Sequence, residues 1–338
     1  RALAKYVGVK HCIGVSSGTD ALIIALMALG IGAGDEVITT PFSFFSTVET
    51  ILLLGAKPIF VDIEKNTYNL DPTKIENAIT KKTKAILPVS LYGQPANFNA
   101  INQIASNYNI PVIEDGAQSF GSKHHNQRSC ALTTIGTTSF FPSKPLGCYG
   151  DGGACFTDDD NLAKSIREIS LHGQIKRYKH ESVGLNGRLD TIQAAILLAK
   201  FPVFEKEVLL REKIGKKYTH ILNQRGFYKT PHIEKYNSSV YAQYTIQVDD
   251  REKIINFLKN KGIPTSIHYP ILLPDQIALN KNRNSFIKKF LNRKMYKSFD
   301  IKNSRSICSR VLSLPMHPNL TEEDQKLIIN SLMESQDN

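Results

Sequence analysis

A lysine lies between an apolar segment and a glycine-rich one, in Ser-Phe-Phe-Pro-Ser-Lys-Pro-Leu-Gly at residues 139–147 and Gly-Asp-Gly-Gly at residues 150–153. These surroundings favour partial burial of Lys144, and burial lowers the pKa of an amine because its charged form loses hydration. An uncharged lysine amine can form a Schiff base with a carbonyl compound. On this segment alone, a lysine in a surface loop is an equally good interpretation.

An acid that could pair with a protonated ring nitrogen lies in Glu-Asp-Gly-Ala-Gln-Ser at residues 114–119. The apolar run just before it predicts a strand, so the acid stands at the strand's end. A carboxylate within hydrogen-bond distance of a pyridinium nitrogen favours the charged form of the ring. We assign this role to Asp115. An aspartate at such a position is also often only a helix cap.

Hydroxyl side chains and a glycine occupy residues 16–22, Ser-Ser-Gly-Thr-Asp-Ala-Leu, where a predicted strand ends and an apolar helix begins. The first turn of a helix offers free N–H groups and the positive end of its dipole, and small side chains let a phosphate approach closely. The segment therefore indicates a phosphate site around Gly18 and Thr19. A helix cap without a ligand explains this segment about equally well.

The elements that must position these groups alternate between strands and helices from Val37 to about Phe156. The predicted strands are short β-branched runs at residues 36–40, 57–62, 84–89 and 110–115. Such alternation is typical of an α/β fold with a mostly parallel central sheet. Ligands collect at the carboxyl ends of the strands in such a sheet.

A long helical pattern begins near Asp190 and continues past Pro202 to Tyr218. Beyond it the sequence predicts a strand at residues 240–248, a helix at residues 251–261 that is closed by Gly262, and a strand at residues 263–268. We therefore predict a large α/β domain over residues 1–205 and a smaller C-terminal α+β domain over residues 206–338.

Together the three segments resemble the DegT-type sugar aminotransferases, which are fold-type I pyridoxal-phosphate enzymes. The resemblance extends over essentially the whole chain and includes residues 186–195, Asn-Gly-Arg-Leu-Asp-Thr-Ile-Gln-Ala-Ala, and residues 314–318, Leu-Pro-Met-His-Pro. It implies a fold-type I architecture, pyridoxal 5'-phosphate as cofactor and an aminotransferase reaction. It also implies that Lys144 carries the cofactor and that Asp115 contacts its ring nitrogen.

The resemblance implies further cofactor contacts at matching positions. Gln118 would lie beside the ring oxygen, and Phe44 would stack on the ring. The phosphate would be held by Gly18, Thr19, Ser139 and an asparagine of a second subunit, Asn186. An active site shared in this way makes a homodimer obligatory.

Within the family, residues 88–94, 241–245 and 264–270 are most similar to members that act on a 3-keto uronic acid. The resemblance thus implies transfer of an amino group from L-glutamate to the 3-keto position of a UDP-linked 2-acetamido-hexuronic acid, for O-antigen-type surface polysaccharide. Arg188 is the candidate for a substrate carboxylate, because a planar guanidinium binds carboxylates bidentately. His268 and Tyr269 would line the sugar side.

Two other functions stay open at this point. One is an aminotransferase for another keto sugar nucleotide, such as a 4-keto-6-deoxy sugar. The other is a regulator that binds pyridoxal phosphate without catalysis. The presence of both Lys144 and Asp115 argues against the regulator.

The chain of 338 residues carries a formal net charge of +11, which suits an anionic partner. Charge alone does not choose between nucleic acid, an acidic membrane and small anions; the resemblance favours a small anion, so we predict neither nucleic acid nor membrane as a partner. The clearest basic stretch, from Lys281 to Lys297, we interpret as a solvated helix face.

Five scattered cysteines with no C-x-x-C spacing argue against a disulfide framework and a zinc site. We predict no metal and a cytoplasmic location. No apolar run reaches the ~20 residues that a membrane helix needs. The start at Arg1 does not resemble a secretory signal. Because it is not a methionine, we expect further residues upstream, including some that shape the substrate mouth.

Overall fold

The computed structural model describes residues 1–280 and 295–337. The helices are α1 (Ala2–Val7), α2 (Gly18–Ala28), α3 (Ser46–Leu53), α4 (Phe98–Asn107), α5 (Asp160–Ile169), α6 (Thr191–Gln224), α7 (Arg251–Asn260), α8 (Ile277–Asn280), α9 (Lys302–Cys308) and α10 (Glu322–Asp337). The strands are β1 (His11–Val15), β2 (Glu36–Thr39), β3 (Lys57–Phe60), β4 (Thr83–Leu87), β5 (Ile113–Asp115), β6 (Lys123–His124), β7 (Gln127–Arg128), β8 (Ile135–Ser139), β9 (Gly153–Thr157), β10 (Gln174–Lys176), β11 (Lys179–His180), β12 (Tyr244–Gln247), β13 (Lys297–Ser298) and β14 (Val311–Leu314).

The central sheet is mostly parallel, as predicted. Two four-stranded sheets, ordered β1-β9-β8-β5 and β13-β3-β2-β4, join through single parallel bridges from Ile86 to Val112 and from Val89 to Asp115. Strand β9 is antiparallel to both of its neighbours, whereas the other paired strands of this sheet are parallel. The four predicted strands correspond to β2, β3, β4 and β5, so the carboxyl ends of parallel strands meet at one edge.

Helices cover both faces of this sheet, which explains why its strands are apolar on both sides. Helix α2 packs with α5 on one face, and its Ala21, Ile24 and Leu26 are fully buried. Helix α4 packs on the other face through Phe98 and Ile101. The burial of α2 on nearly all sides fixes its first turn against the end of the sheet.

A second hydrophobic core lies in the C-terminal part, where the end of α6 packs against β12, β14, α7 and α10. Helix α6 runs without interruption past Pro202. The predicted domain boundary at residue 205 therefore falls inside a continuous helix, and the division into two domains stays a prediction.

The strand predicted at residues 263–268 is wrong. This segment makes only an isolated bridge, between Ser266 and Ser313. Pro264 lies inside this segment and Pro270 follows it, and a proline has no N–H to donate to a ladder. The strand predicted at residues 240–248 is present but shorter, as β12.

Most of the basic stretch from Lys281 to Lys297 lies outside the described residues, so its interpretation as a helix face stays a prediction. Of its basic side chains, Lys297 is described, in the short strand β13 at the edge of the sheet. Within residues 1–280 and 295–337, no helix combines the length and apolar character needed to cross a bilayer.

Candidate active site

A pocket of about 450 Å³ opens at the carboxyl end of the sheet. Most residues predicted to bind the cofactor or substrate line it: Gly18, Thr19, Phe44, Asp115, Gln118, Ser139, Lys144, His268 and Tyr269. They come from segments far apart in the chain, including the ends of β5 and β8, the start of α2 and the loop after β8. The fold therefore brings the three sequence segments into one cavity.

One end of the pocket is formed by the first turn of α2. Ser17 caps the helix, and its Oγ accepts a hydrogen bond of 3.0 Å from the Asp20 N–H. A Cβ on Gly18 would lie 2.6 Å from the Cβ of Ser139, so this position has room only for glycine. The resulting cradle combines helix N–H groups with the hydroxyls of Thr19 and Ser139. It suits a phosphate.

Asp115 lies at the end of β5 with its side chain turned into the pocket. Its carboxylate accepts hydrogen bonds of 3.2 Å from the Thr47 hydroxyl and 3.2 Å from the Ala117 N–H. Burial raises the pKa of this carboxyl, whereas these two bonds and the charge of Lys144 lower it. A positively charged group bound in the pocket beside Asp115 would therefore keep this carboxylate ionised.

The neighbouring acid, Glu114, points away from the pocket because successive side chains of a strand face opposite sides. Its carboxylate accepts hydrogen bonds from Ser90 (2.7 Å), Ser129 (2.6 Å) and the Cys130 N–H (2.7 Å). These bonds tie β5 to the adjacent loops. Glu114 thus supports the strand end that carries Asp115.

Lys144 follows a tight turn in which its N–H donates to the Phe141 carbonyl at 2.9 Å. Burial lowers the pKa of its amine, and the negative charge of Asp115 partly opposes this effect. A larger fraction of uncharged amine follows, which is the form that attacks a carbonyl carbon. This is the behaviour predicted from the apolar and glycine-rich flanks.

His268 and Tyr269 close the pocket from the C-terminal part of the chain. The Tyr269 hydroxyl accepts a 3.0 Å hydrogen bond from Gln118, whose own oxygen accepts one of 2.8 Å from the Tyr92 N–H. His268 Nδ1 lies 2.9 Å from the Ser313 hydroxyl. Burial lowers the pKa of His268, and the nearby charge of Lys144 lowers it further. Its imidazole is therefore predominantly neutral at neutral pH.

Asn186 and Arg188 do not line this pocket. Both side chains are exposed, and Arg188 donates a 2.8 Å hydrogen bond to the Asn186 oxygen. Their backbones form isolated bridges with Leu171 and Val15, respectively. Neither residue touches its own chain's pocket, so their predicted roles need a second subunit.

Residues 1–333 match the DegT/DnrJ/EryC1/StrS aminotransferase family. The chain belongs to this family.

The relatives include enzymes and a regulator. The chain is 54% identical, over 98% of its length and 88% of the relative's, to UDP-2-acetamido-2-deoxy-3-oxo-D-glucuronate aminotransferase of Pseudomonas aeruginosa. It is 42% identical, over 98% of its length and 87% of the relative's, to a protein named pleiotropic regulatory protein of Geobacillus stearothermophilus. It is also similar to the crystal structure of ntda from Bacillus subtilis with bound cofactor PMP, with 33% identity and a TM-score of 0.86 over 99% of this chain and 75% of that one.

These findings confirm the predicted family, fold class, cofactor and aminotransferase activity. The residues of the pocket fit pyridoxal phosphate. The cradle at Gly18 matches the phosphate, the amine of Lys144 matches the aldehyde, and the buried carboxylate of Asp115 matches a protonated ring nitrogen. The contacts of individual residues with the cofactor stay predictions.

Several pocket residues escaped prediction from the sequence. Ser43 lines the pocket, and its hydroxyl lies 3.0 Å from that of Thr47, which donates to Asp115 from behind the lining. These two hydroxyl residues are four positions apart and flank the predicted Phe44, which is a signal that the sequence does contain. Gln243 also lines the pocket. Nothing in its local pattern distinguishes it from other polar residues at the start of a strand.

Proposed function

We propose that this aminotransferase transfers the amino group of L-glutamate to the 3-keto carbon of a UDP-linked 2-acetamido-hexuronic acid. The main support for this acceptor is the likeness to the Pseudomonas aeruginosa enzyme, which extends over 98% of the chain at 54% identity. An exposed arginine next to the predicted shared site supports a substrate that bears a carboxylate. A role in O-antigen-type surface polysaccharide is part of the same proposal.

We assign each residue of the pocket a separate role in this reaction. Bound pyridoxal phosphate supplies an aldehyde that takes the amino group and a protonated ring that accepts an electron pair. Lys144 would hold the cofactor through its amine, and the same amine, when free, would move the proton at the α-carbon of the donor. Asp115 keeps the ring nitrogen protonated. Neutral His268, together with Tyr269, lines the sugar side and excludes water.

Arg188 is available for a substrate carboxylate. Among the described residues it forms no ion pair with an acid, and its one side-chain bond goes to the neutral Asn186. Both L-glutamate and a hexuronate offer a carboxylate that a guanidinium binds bidentately. The acceptor proposal assigns Arg188 to the hexuronate.

Replacing Arg188 by alanine is expected to lower kcat/KM for the uronic acid about 10- to 100-fold more than for a matched sugar nucleotide with a neutral C6. A charge-assisted hydrogen bond lost to an ionised group costs ~1.5–3 kcal/mol. Steady-state kinetics with the two acceptors measures the difference.

Single-turnover reaction with glutamate, measured separately, isolates the donor step. Equal losses for both sugars with an impaired donor step would show that Arg188 serves glutamate and would remove the support for a uronate. The matched control is Arg225→Ala. Arg225 is also exposed, lies at the C-terminal end of α6 far from Arg188, and likewise bonds to an asparagine, Asn330.

We also propose a homodimer with shared active sites. Around Asn186 the chain exposes large apolar side chains, with Tyr178 at 81%, Val183 at 85% and Ile192 at 68% of their surface. Exposed apolar surface of this kind is typical of an interface. A second copy that covers it would bring Asn186 within reach of the partner's phosphate cradle.

Mixing two inactive variants, Lys144→Ala and Asn186→Ala, is expected to restore activity. In a heterodimer one site would combine the intact Lys144 of one chain with the intact Asn186 of the other. Random exchange gives half heterodimers with one such site, so recovery approaches about a quarter of the wild-type activity. Rate measurements after verified subunit exchange test this, and no recovery would contradict a shared site.

A reducing compartment, such as the cytoplasm, suits the cysteines of this enzyme. All five are free thiols, and four of them are buried. Protein disulfides are rare in a reducing environment, so the absence of pairing is expected there.

A further inference from the structure

A buried hydroxyl, that of Thr47, contacts Asp115 from behind the lining of the pocket. Thr47 lies in the first turn of α3, and both it and Ser43 are buried. The Thr47 oxygen lies 3.2 Å from a carboxylate oxygen of Asp115 and 3.0 Å from the hydroxyl oxygen of Ser43. The three side chains therefore form one continuous series of hydrogen bonds that is largely shielded from bulk water.

The direction of these hydrogen bonds is fixed once Asp115 is ionised. A carboxylate only accepts, so the Thr47 hydroxyl donates to it. A hydroxyl has a single hydrogen, so the contact between Thr47 and Ser43 requires Ser43 to donate. Both hydrogens then point along the series toward the carboxylate, and hydrogen bonds arranged in this way strengthen one another.

The carboxylate of Asp115 has few other partners. From the described residues it accepts two hydrogen bonds, one on each oxygen, and Thr47 and the Ala117 N–H provide them. The neighbouring Glu114, in contrast, accepts three. Burial is the largest influence on the pKa of Asp115 and raises it, whereas the bond from Thr47 lowers it. Loss of this bond would leave one buried oxygen of Asp115 without a donor from the described part of the chain.

We propose that Thr47 is a positioning residue, which holds Asp115 ionised and directed into the pocket so that its carboxylate can pair with the ring nitrogen of pyridoxal phosphate. This inference rests on the cofactor contact proposed for Asp115 and is independent of the proposed acceptor sugar. The backbone of Thr47 also donates to the Phe44 carbonyl at 3.3 Å. Thr47 thereby connects the residue predicted to stack on the ring with the residue predicted to pair with its nitrogen.

Thr47→Val tests this role, because valine keeps the shape of threonine and removes the hydroxyl. Equilibrium dialysis of the cofactor-loaded protein is expected to show a dissociation constant for pyridoxal phosphate about 10- to 100-fold higher than in the wild type, since a hydrogen bond to a charged group is lost. Thr47→Ser keeps the hydroxyl and should restore most of the affinity. The matched control is Thr50→Val. Thr50 is buried in the same helix, but its hydroxyl has no hydrogen-bond partner among the described residues, so this variant should bind the cofactor as the wild type does.

The same measurement in an Asp115→Ala background shows whether Thr47 acts through Asp115. Thr47→Val should then weaken binding no further, because the two changes remove the same interaction. An equal loss in both backgrounds, or unchanged affinity of Thr47→Val in the wild-type background, would overturn the role of Thr47 and leave that of Asp115 intact. Wild-type affinity of Asp115→Ala would overturn both roles. Circular dichroism verifies the fold of each variant, and Thr47→Ala replaces Thr47→Val in the comparison if the valine variant does not fold.

Discussion

Lys144→Ala is expected to abolish the visible absorbance of the protein-bound cofactor and to lower turnover by at least ~1000-fold. The first effect follows because the covalent bond to the cofactor needs this amine. The second follows because, in the proposed reaction, the same amine moves the proton at the α-carbon, and acid–base catalysis alone contributes about 10²–10⁴-fold. Absorbance spectra of the purified protein and single-turnover reaction with glutamate measure the two effects.

Lys200→Ala is the matched control for this prediction. Lys200 donates to the carbonyl of Gly147, three residues from Lys144, but does not line the pocket. This variant should keep the absorbance. A cofactor-loaded wild type without a visible band would contradict the role of Lys144, as would a fully active Lys144→Ala. Partial rescue of Lys144→Ala by small primary amines would add support for the proton-moving role.

Asp115→Asn is expected to lower kcat about 100-fold or more. The amide cannot hold the ring nitrogen in its charged form, and removal of one partner from a buried charged pair costs about 3–5 kcal/mol. Rate measurements on the cofactor-saturated variant test this. Glu114→Gln is the control, since Glu114 is equally buried on the same strand but bonds to Ser90 and Ser129 outside the pocket.

Without cofactor, Asp115→Asn should not be impaired relative to the wild type, and the property to compare is the stability of the folded chain. Burial raises the pKa of Asp115, so the folded chain binds more protons than the unfolded chain between the two pKa values. Stability then falls as the pH rises through that window and stays lower above it. Asp115→Asn should therefore be at least as stable as the wild type at neutral pH without cofactor, as measured by denaturant unfolding. A large loss of stability there would make Asp115 a structural residue.

The amino-acid sequence by itself determined the central sheet and the main cofactor candidates. The parallel strands are apolar on both faces and end at polar residues, which made both the strands and Asp115 recognisable. Gly18 and Lys144 were recognisable for a similar reason: a helix start and a glycine-flanked lysine are local patterns. Each of these signals is contained in a few consecutive residues.

Only the tertiary structure decided which partners these residues have. Thr47 and Asp115 are 68 positions apart and meet because α3 begins, and β5 ends, at the same edge of the sheet. Gln118 and Tyr269 are 151 positions apart and meet across the two halves of the chain. Such contacts depend on how distant elements pack, and no local pattern encodes them.

The sequence likewise does not show how Gln243 and Gln118 differ. Both are glutamines in the pocket, but packing gives Gln118 partners at both ends of its amide and leaves the buried Oε1 of Gln243 without a partner among the described residues. It also leaves Asn186 and Arg188 exposed on the outside of their own chain. The residue types were readable from the sequence, whereas the burial and pairing that set their chemistry arise only when the chain packs.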